Sequence, residues 1–410
     1  MVLGADTRTD PRLGTWALFL AVALGTTSFV ASITVAPIVG KDLTSSTTLS
    51  GFPWTAGVFG TGIGSVLLSR LMARHGRGPG LILGYTIGAV GALVAVIAIV
   101  NDLFAFFVLG VLLMAGANAA NHLSRYAAAD LYTTARRASG IGLVVWAGTV
   151  GGVAGPALLK PSGRLAVNAG LPRLAGPFVV CIAGSVVAAL VLIALIRIRR
   201  GSLTPIDTQE PPSARRLTEL WRAPRARAAL ISLAVSQTVM VLIMAMTPLH
   251  LQDTGHDLGA VGLVISIHVF GMYGLSPISG RLTDKLGAVP VVLIGFATLM
   301  ASAIIAAAMP HHAGTLLTIP LFLLGFGWSL SFIAGSSMLT EGLTFGDRAR
   351  LQGATDAIVW TSAAIAGLSS GVLVGIFSYA LLCVVGAILV VAPIALITSQ
   401  RRSLYAPAPA

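Results

Sequence analysis

Twelve apolar runs, each about twenty residues or longer, recur along the 410-residue chain, at roughly 14–39, 51–72, 80–100, 103–128, 139–159, 175–197, 228–250, 259–281, 288–309, 315–340, 353–377 and 379–398. A run of that length, wound as a helix, crosses a hydrocarbon core of about 30 Å. In lipid each backbone N–H and C=O must be satisfied within its own segment, so the runs are expected to be helices. The predicted fold class is an all-α membrane protein with twelve transmembrane helices. Composition agrees: 10% of residues are charged and 56% are hydrophobic, where a soluble domain carries about 25% charged residues.

The polar residues between the runs set the expected topology. With the N-terminus inside, inner segments hold 21 of the 26 basic residues, among them Arg70, Arg74, Arg77, Arg136, Arg137, Arg348 and Arg350. Outer segments hold Lys41, Lys160, Arg164 and Arg173, and Arg125 lies within a span. By the positive-inside rule both termini are cytoplasmic, and the alanine- and arginine-rich, lysine-poor composition points to a multi-pass protein of a bacterial cytoplasmic membrane. The net charge of +12 does not imply nucleic acid, because the basic residues sit in short loops and form no patch on a soluble face. Cys181 and Cys383 lie inside apolar runs and read as small core residues.

The longest polar stretch, 198–227, divides the chain into a six-span bundle at 1–197 and another at 228–398, with a cytoplasmic tail at 399–410. The halves repeat. Ser69-Arg70-Leu71-Met72-Ala73-Arg74-His75-Gly76 follows the second run, and Gly280-Arg281-Leu282-Thr283-Asp284-Lys285-Leu286-Gly287 follows the eighth, 211 residues later. Two bundles of this kind are pseudo-symmetric about an axis along the membrane normal.

The fifth run, Gly140–Leu159, carries no charge over twenty residues. Gly148, Gly151, Gly152 and Gly155 fall at i, i+3, i+4 and i+7 and form one bare helical face, on which a neighbouring helix can close. Pro156 removes a backbone donor near the far end.

Gly142, Gly151, Gly155 and Pro156 also match the spacing G-x8-G-x3-G-P. In this the chain resembles the antiporters of the major facilitator superfamily, although Leu159 and Lys160 replace the paired glycine that usually follows. Both inter-span loops are similar to that family's short loop motif. The second copy keeps Gly280, Asp284, Lys285 and Gly287; the first keeps Arg74, Gly76 and Arg77 but has Ala73 for the aspartate. The resemblance implies that this loop latches one conformation through charge pairs, and that the latch shifts towards the second copy. It also implies relatives among bacterial drug or metabolite:proton antiporters.

Candidate chemistry lies in the polar residues of the spans, because such groups at membrane depth face a bundle interior or a wet cavity. Asn118, Asn121, His122 and Arg125 stand at i, i+3, i+4 and i+7, one stripe on the fourth helix. Arg125 has two readings: a contact to an anionic or polar part of the substrate, with Asn121 and His122 alongside, or a partner for a carboxylate. Gln237 and Trp328 are further cavity candidates. For proton coupling the candidates are His268, Asp130, Glu341 and Asp356. A lone histidine such as His268 is more often a hydrogen-bonded packing residue. Asp130 and Glu341 suit gate charges pairing with Arg136, Arg137, Arg348 or Arg350. Asp356 falls in the first turns of the run at 353–377, where the helix dipole favours a carboxylate.

No phosphate-cradling loop, metal-ligand cluster or nucleophile triad is present, so no enzyme activity, metal or cofactor is expected. No cytosolic segment is large enough to hydrolyse ATP, which leaves an ion gradient as energy source. The sequence therefore reads as a secondary active transporter moving a small molecule by alternating access, and the resemblance to antiporters implies export driven by proton antiport. Uptake of a polar or anionic metabolite is the alternative, and a non-transporting sensor or scaffold the alternative of another class. The expected partners are the small-molecule substrate, protons and the bilayer, with the protein a monomer.

Overall fold

The computed structural model describes residues 11–45, 49–198, 215–255, 258–310, 314–340 and 343–400. Among them are twelve helices long and apolar enough to cross a membrane. They are α1 (Pro11–Thr44), α2 (Phe52–His75), α3 (Arg77–Val100), α4 (Phe104–Ala129), α5 (Thr134–Ala157), α6 (Arg173–Ile198), α7 (Pro224–Leu251), α8 (Leu263–Leu286), α9 (Ala288–Ala308), α10 (Thr318–Met338), α11 (Phe345–Ile376) and α12 (Tyr379–Ser399). Glu341, weighed above, lies outside the described residues.

Three features are not marked by the apolar runs. Helix α11 begins eight residues before the run at 353–377, because Asp347, Arg348 and Arg350 are accommodated in ion pairs and do not end the helix. Asp356 therefore stands about three turns inside α11. The helix-dipole reading for it fails, since that effect fades within the first turn. A short amphipathic helix, Leu159–Asn168, occupies the segment between α5 and α6. In α8, residues Phe270–Gly274 form a π-helical turn. Pro277 has no N–H to give to Tyr273 O, four residues back; Ser276 Oγ satisfies that carbonyl at 2.6 Å.

By contact the chain separates into two units. One comprises 1–133, 147–214 and 344–357; the other comprises 134–146, 215–343 and 358–410. The first unit thus takes the N-terminal turns of α11, and the second takes those of α5.

Within the first unit α3 packs on α4 and α6, and α1 packs on α6 and α4. Within the second unit α9 packs on α10 and α12, and α7 packs on α12 and α10. Each contact is the other moved on by six helices. The offset of 211 residues holds at single positions. Gly76 and Gly287 both end their helices at φ 87°, where a side chain would be strained. A Cβ on Gly84 would stand 3.0 Å from Gly116 O, and one on Gly295 would stand 2.9 Å from Gly327 O. These glycines let helix backbones touch where lipid supplies no hydrophobic drive between helices.

Candidate functional site

The stripe on α4 lies in the first unit, and its residues turn to different neighbours. Asn118 Nδ2 donates to Thr61 Oγ1 on α2 at 3.1 Å. Tyr85 of α3 donates its hydroxyl to Asn121 Oδ1 at 2.9 Å. Both asparagines are buried, while His122 is half-buried. Arg125 is 2% exposed, and its Nη2 lies 2.6 Å from Asp356 Oδ1 on α11 and 2.7 Å from Tyr126 Oη. Of the two readings for Arg125, the carboxylate partner is the one present. An isolated charge at this depth is costly; a paired and hydrogen-bonded one is tolerated.

A second buried charge network stands at the arginine-rich end of the same unit. Gly76 turns the chain so that Arg77 opens α3 pointing inward, with no exposed surface. Arg77 Nε donates to Asp130 Oδ2 at 2.9 Å and its Nη2 to Gln352 Oε1 at 2.6 Å. Arg348 Nη2 lies 3.0 Å from Asp130 Oδ1. The ring of Phe345 has both guanidiniums near its face, at 5.3 and 5.7 Å, a distance at which a cation is attracted to the ring. Asp130 thus takes Arg348, one of its four expected partners, and also Arg77. Arg74 stays exposed beside this network.

In the second unit the loop motif works as a helix cap. Asp284 Oδ1 and Oδ2 accept from the backbone N–H of Ala138 and Ser139, at 3.0 and 2.9 Å. Those groups open the α-helical part of α5, which starts at Arg137 after a 3₁₀ turn at Thr134–Arg136, and there a carboxylate meets unpaired donors and the positive end of the helix dipole. Lys285 is exposed. Gly142 of α5 lies against the α8 backbone, with its carbonyl 2.9 Å from Ser276 Oγ. The later glycines of the α5 signature belong to the first unit. A Cβ on Gly151 would meet Thr26 Cβ at 2.6 Å, and one on Gly155 would meet Val30 Cβ at 2.9 Å, both on α1. Gly148 is buried, Gly152 half-buried and Pro156 exposed, one residue before α5 ends.

The second unit also holds an aromatic group. Trp328 on α10 is 2% exposed and donates Nε1–H to Gln237 Oε1 on α7 at 2.7 Å. Phe332 stacks on it at a centroid distance of 4.4 Å, and Tyr273, carried by the π-turn of α8, meets it edge-on at 5.6 Å. Five residues before Tyr273, buried His268 has Nδ1 2.8 Å from Leu321 O. Its Nε2 has no hydrogen-bond partner among the described residues. Among the described residues no cluster of His, Cys, Asp or Glu could hold a metal ion.

The family model of the Major Facilitator Superfamily matches residues 17–257 and 229–409. The chain belongs to the major facilitator superfamily. The uncharacterized MFS-type transporter YdeG of Bacillus subtilis (strain 168) is 34% identical over 373 residues, covering 89% of this chain and 86% of that protein. The riboflavin transporter RfnT of Brucella anthropi is 29% identical over 358 residues, covering 86% and 87%. Among solved structures, a bacterial homologue of the iron transporter ferroportin in an outward-facing state superposes with a TM-score of 0.75 at 14% identity, covering 95% of this chain and 99% of that one. The MFS transporter FucP in its outward conformation superposes at 0.72 and 13% identity, covering 93% and 98%. These neighbours carry the fold: two sets of six helices in a multi-pass membrane transporter.

In this transporter the structure brings Gln237 and Trp328 together, and Arg125 and Asp356 together. Gln352, Phe345, Tyr85 and Tyr273 were missed in the sequence. Gln352 alone had a local signal, a polar residue at the edge of an apolar run one turn from Asp356.

Proposed function

We propose that this transporter is a proton-coupled secondary carrier, with both termini cytoplasmic, that exports a small, flat, polar compound. The observation that carries the proposal is the buried Arg125–Asp356 pair, which ties α4 of one repeat to α11 of the other. A proton arriving at Asp356 Oδ2, which has no partner among the described residues, neutralises the carboxylate and weakens its hold on Arg125. Helix α11 is then released from α4 and the cargo leaves, so that cargo and proton occupy the carrier in turn. Loss of the proton restores the pair. In this reading the Arg77–Asp130–Arg348 network and the Asp284 cap are the gate contacts that open and close with it, and the α5 glycines are the surfaces on which the helices shift.

The cargo class draws on the second unit. Trp328, Phe332 and Tyr273 form a packed aromatic group, and Gln237 carries an amide hydrogen-bonded at its edge. A tricyclic heteroaromatic compound of the flavin type suits the aromatic group and the amide of Gln237, and similarity to a riboflavin transporter supports it. Antiport draws on the spacing of Gly142, Gly151, Gly155 and Pro156. A second reading, proton-coupled uptake, is favoured by the polar stripe of α4 and by Leu159 and Lys160 in place of the paired glycine.

The test is flux in sealed vesicles of purified protein, acid outside, with a proton-sensitive dye and riboflavin inside. Export predicts that riboflavin leaves as protons enter, and that Asp356→Asn loses this coupling while riboflavin counterflow persists. Movement of both in the same direction selects uptake. Full coupling in Asp356→Asn removes Asp356 from the mechanism, and loss in His268→Ala would move the role there.

A further inference from the structure

The two copies of the loop motif differ in one residue with a structural consequence. In the second copy Asp284 fills the position and caps the first turn of α5. In the first copy Ala73 stands there, 211 residues earlier. Beside Ala73 lies a cavity of about 630 Å³, lined by Leu67, Arg70, Leu71, Ala73, Arg74 and His75 of α2, and by Gly346 and Arg350 of α11. All of these residues belong to the first unit. Three arginines and a histidine thus surround a cavity whose counterpart position carries a carboxylate.

The cavity has a polar and an apolar side, and the apolar side continues along α2. Phe59, Ile63 and Leu67 succeed one another at intervals of four residues, all outward-facing, and Leu67 is 57% exposed. That row is an exposed apolar stripe. It runs into Arg70 and Arg74, both exposed, at the end of α2 where the hydrocarbon gives way to headgroups. A ligand that fits must carry negative charge at one end and hydrocarbon at the other. Basic pockets between transmembrane helices bind anionic headgroups for this reason.

We propose that this cavity binds the phosphate of an anionic phospholipid, with Arg70, Arg74 and Arg350 around the headgroup and the acyl chains along Leu67, Ile63 and Phe59. The headgroup supplies the negative charge that Asp284 supplies in the second copy. It stands beside the first turn of α11, the helix that carries Arg348 and Asp356. Bound lipid therefore stabilises the contacts that α11 makes within the first unit.

The experiment titrates dioleoylphosphatidylglycerol into the detergent-purified full chain and follows the unfolding temperature, with native mass spectrometry to count retained lipid. Dioleoylphosphatidylcholine and inorganic phosphate are the comparison ligands. A ligand bound only by the folded state raises that temperature in a saturable way. The expected result is a saturable rise with the anionic lipid, little rise with either comparison, and one retained lipid. Arg70→Ala/Arg74→Ala loses both the rise and the retained lipid. Ala73→Asp, which places a carboxylate in the cavity, loses them too and keeps the test open if the double variant does not fold. An undiminished lipid effect in Ala73→Asp overturns the proposal. So does an equal rise with phosphatidylcholine, and a full rise with inorganic phosphate alone would make the site one for a free anion.

Discussion

Arg125 and Asp356 stand 231 residues apart in sequence, and their charged atoms lie 2.6 Å apart with about 2% of either side chain exposed. Removing one partner of such a pair leaves an uncompensated buried charge, which costs about 3–5 kcal/mol. Arg125→Gln and Asp356→Asn should each lower the unfolding temperature sharply. The double variant should recover much of that loss, because no lone charge remains. Additive losses in a double-mutant cycle would show that the two residues do not act as a pair.

Arg77 uses different guanidinium nitrogens for Asp130 and Gln352. Lysine keeps the charge but presents it at one point and cannot span both acceptors in that geometry. Arg77→Lys should therefore destabilise the protein, by about 1–3 kcal/mol for the hydrogen-bonding group left unsatisfied. Arg74→Lys, on an exposed side chain, should change stability little. Equal effects in the two variants would contradict the geometry.

Asp284 should be separable from its neighbour Lys285. Asp284→Ala removes both acceptors from the first turn of α5 and should cost about 0.5–2 kcal/mol, seen as faster amide exchange of Ala138 and Ser139. Lys285→Ala should leave that exchange unchanged, since Lys285 is exposed.

The backbone contact between α9 and α10 has no room for a methyl group. A Cβ on Gly327 would stand 2.9 Å from Gly295 O and 2.9 Å from Leu299 N, both main-chain atoms. Gly327→Ala should then cost about 1–3 kcal/mol by overpacking. Gly371→Ala meets nothing within 4 Å and should be neutral or slightly stabilising by helix propensity. An unfolding temperature for Gly327→Ala equal to wild type would argue against the close approach.

Trp328 and Gln237 allow the cargo reading to be checked apart from stability. Trp328→Phe keeps a ring and gives up the hydrogen bond to Gln237. Under the proposed function it should raise the KM for a flavin-type compound while leaving proton coupling intact, whereas Asp356→Asn should do the reverse. A KM unchanged by Trp328→Phe and by Gln237→Met would remove this group from the cargo path.

The amino-acid sequence by itself determined the number of spans, the two repeated sets of six, the glycines that give α5 a bare face, and the family. All of these depend on local quantities: runs of apolar residues long enough to span lipid, spacings of three and four, and a motif repeated at a fixed offset. It also singled out Arg125 and Asp356, because a charge in an apolar run is conspicuous. The tertiary structure alone decided that these two meet, that Asp130 takes Arg77 as well as Arg348, that Asp356 lies deep in α11, and that Trp328 finds Gln237. It also decided that the first turns of α5 and α11 count with the other unit, and that Tyr273 is carried on a π-turn. The physical reason is that lipid is a nearly uniform solvent, so apolar length and periodicity can be read one segment at a time. Which partner a buried polar side chain meets depends on the rotation and depth of helices far apart in the chain, and no local spacing records that.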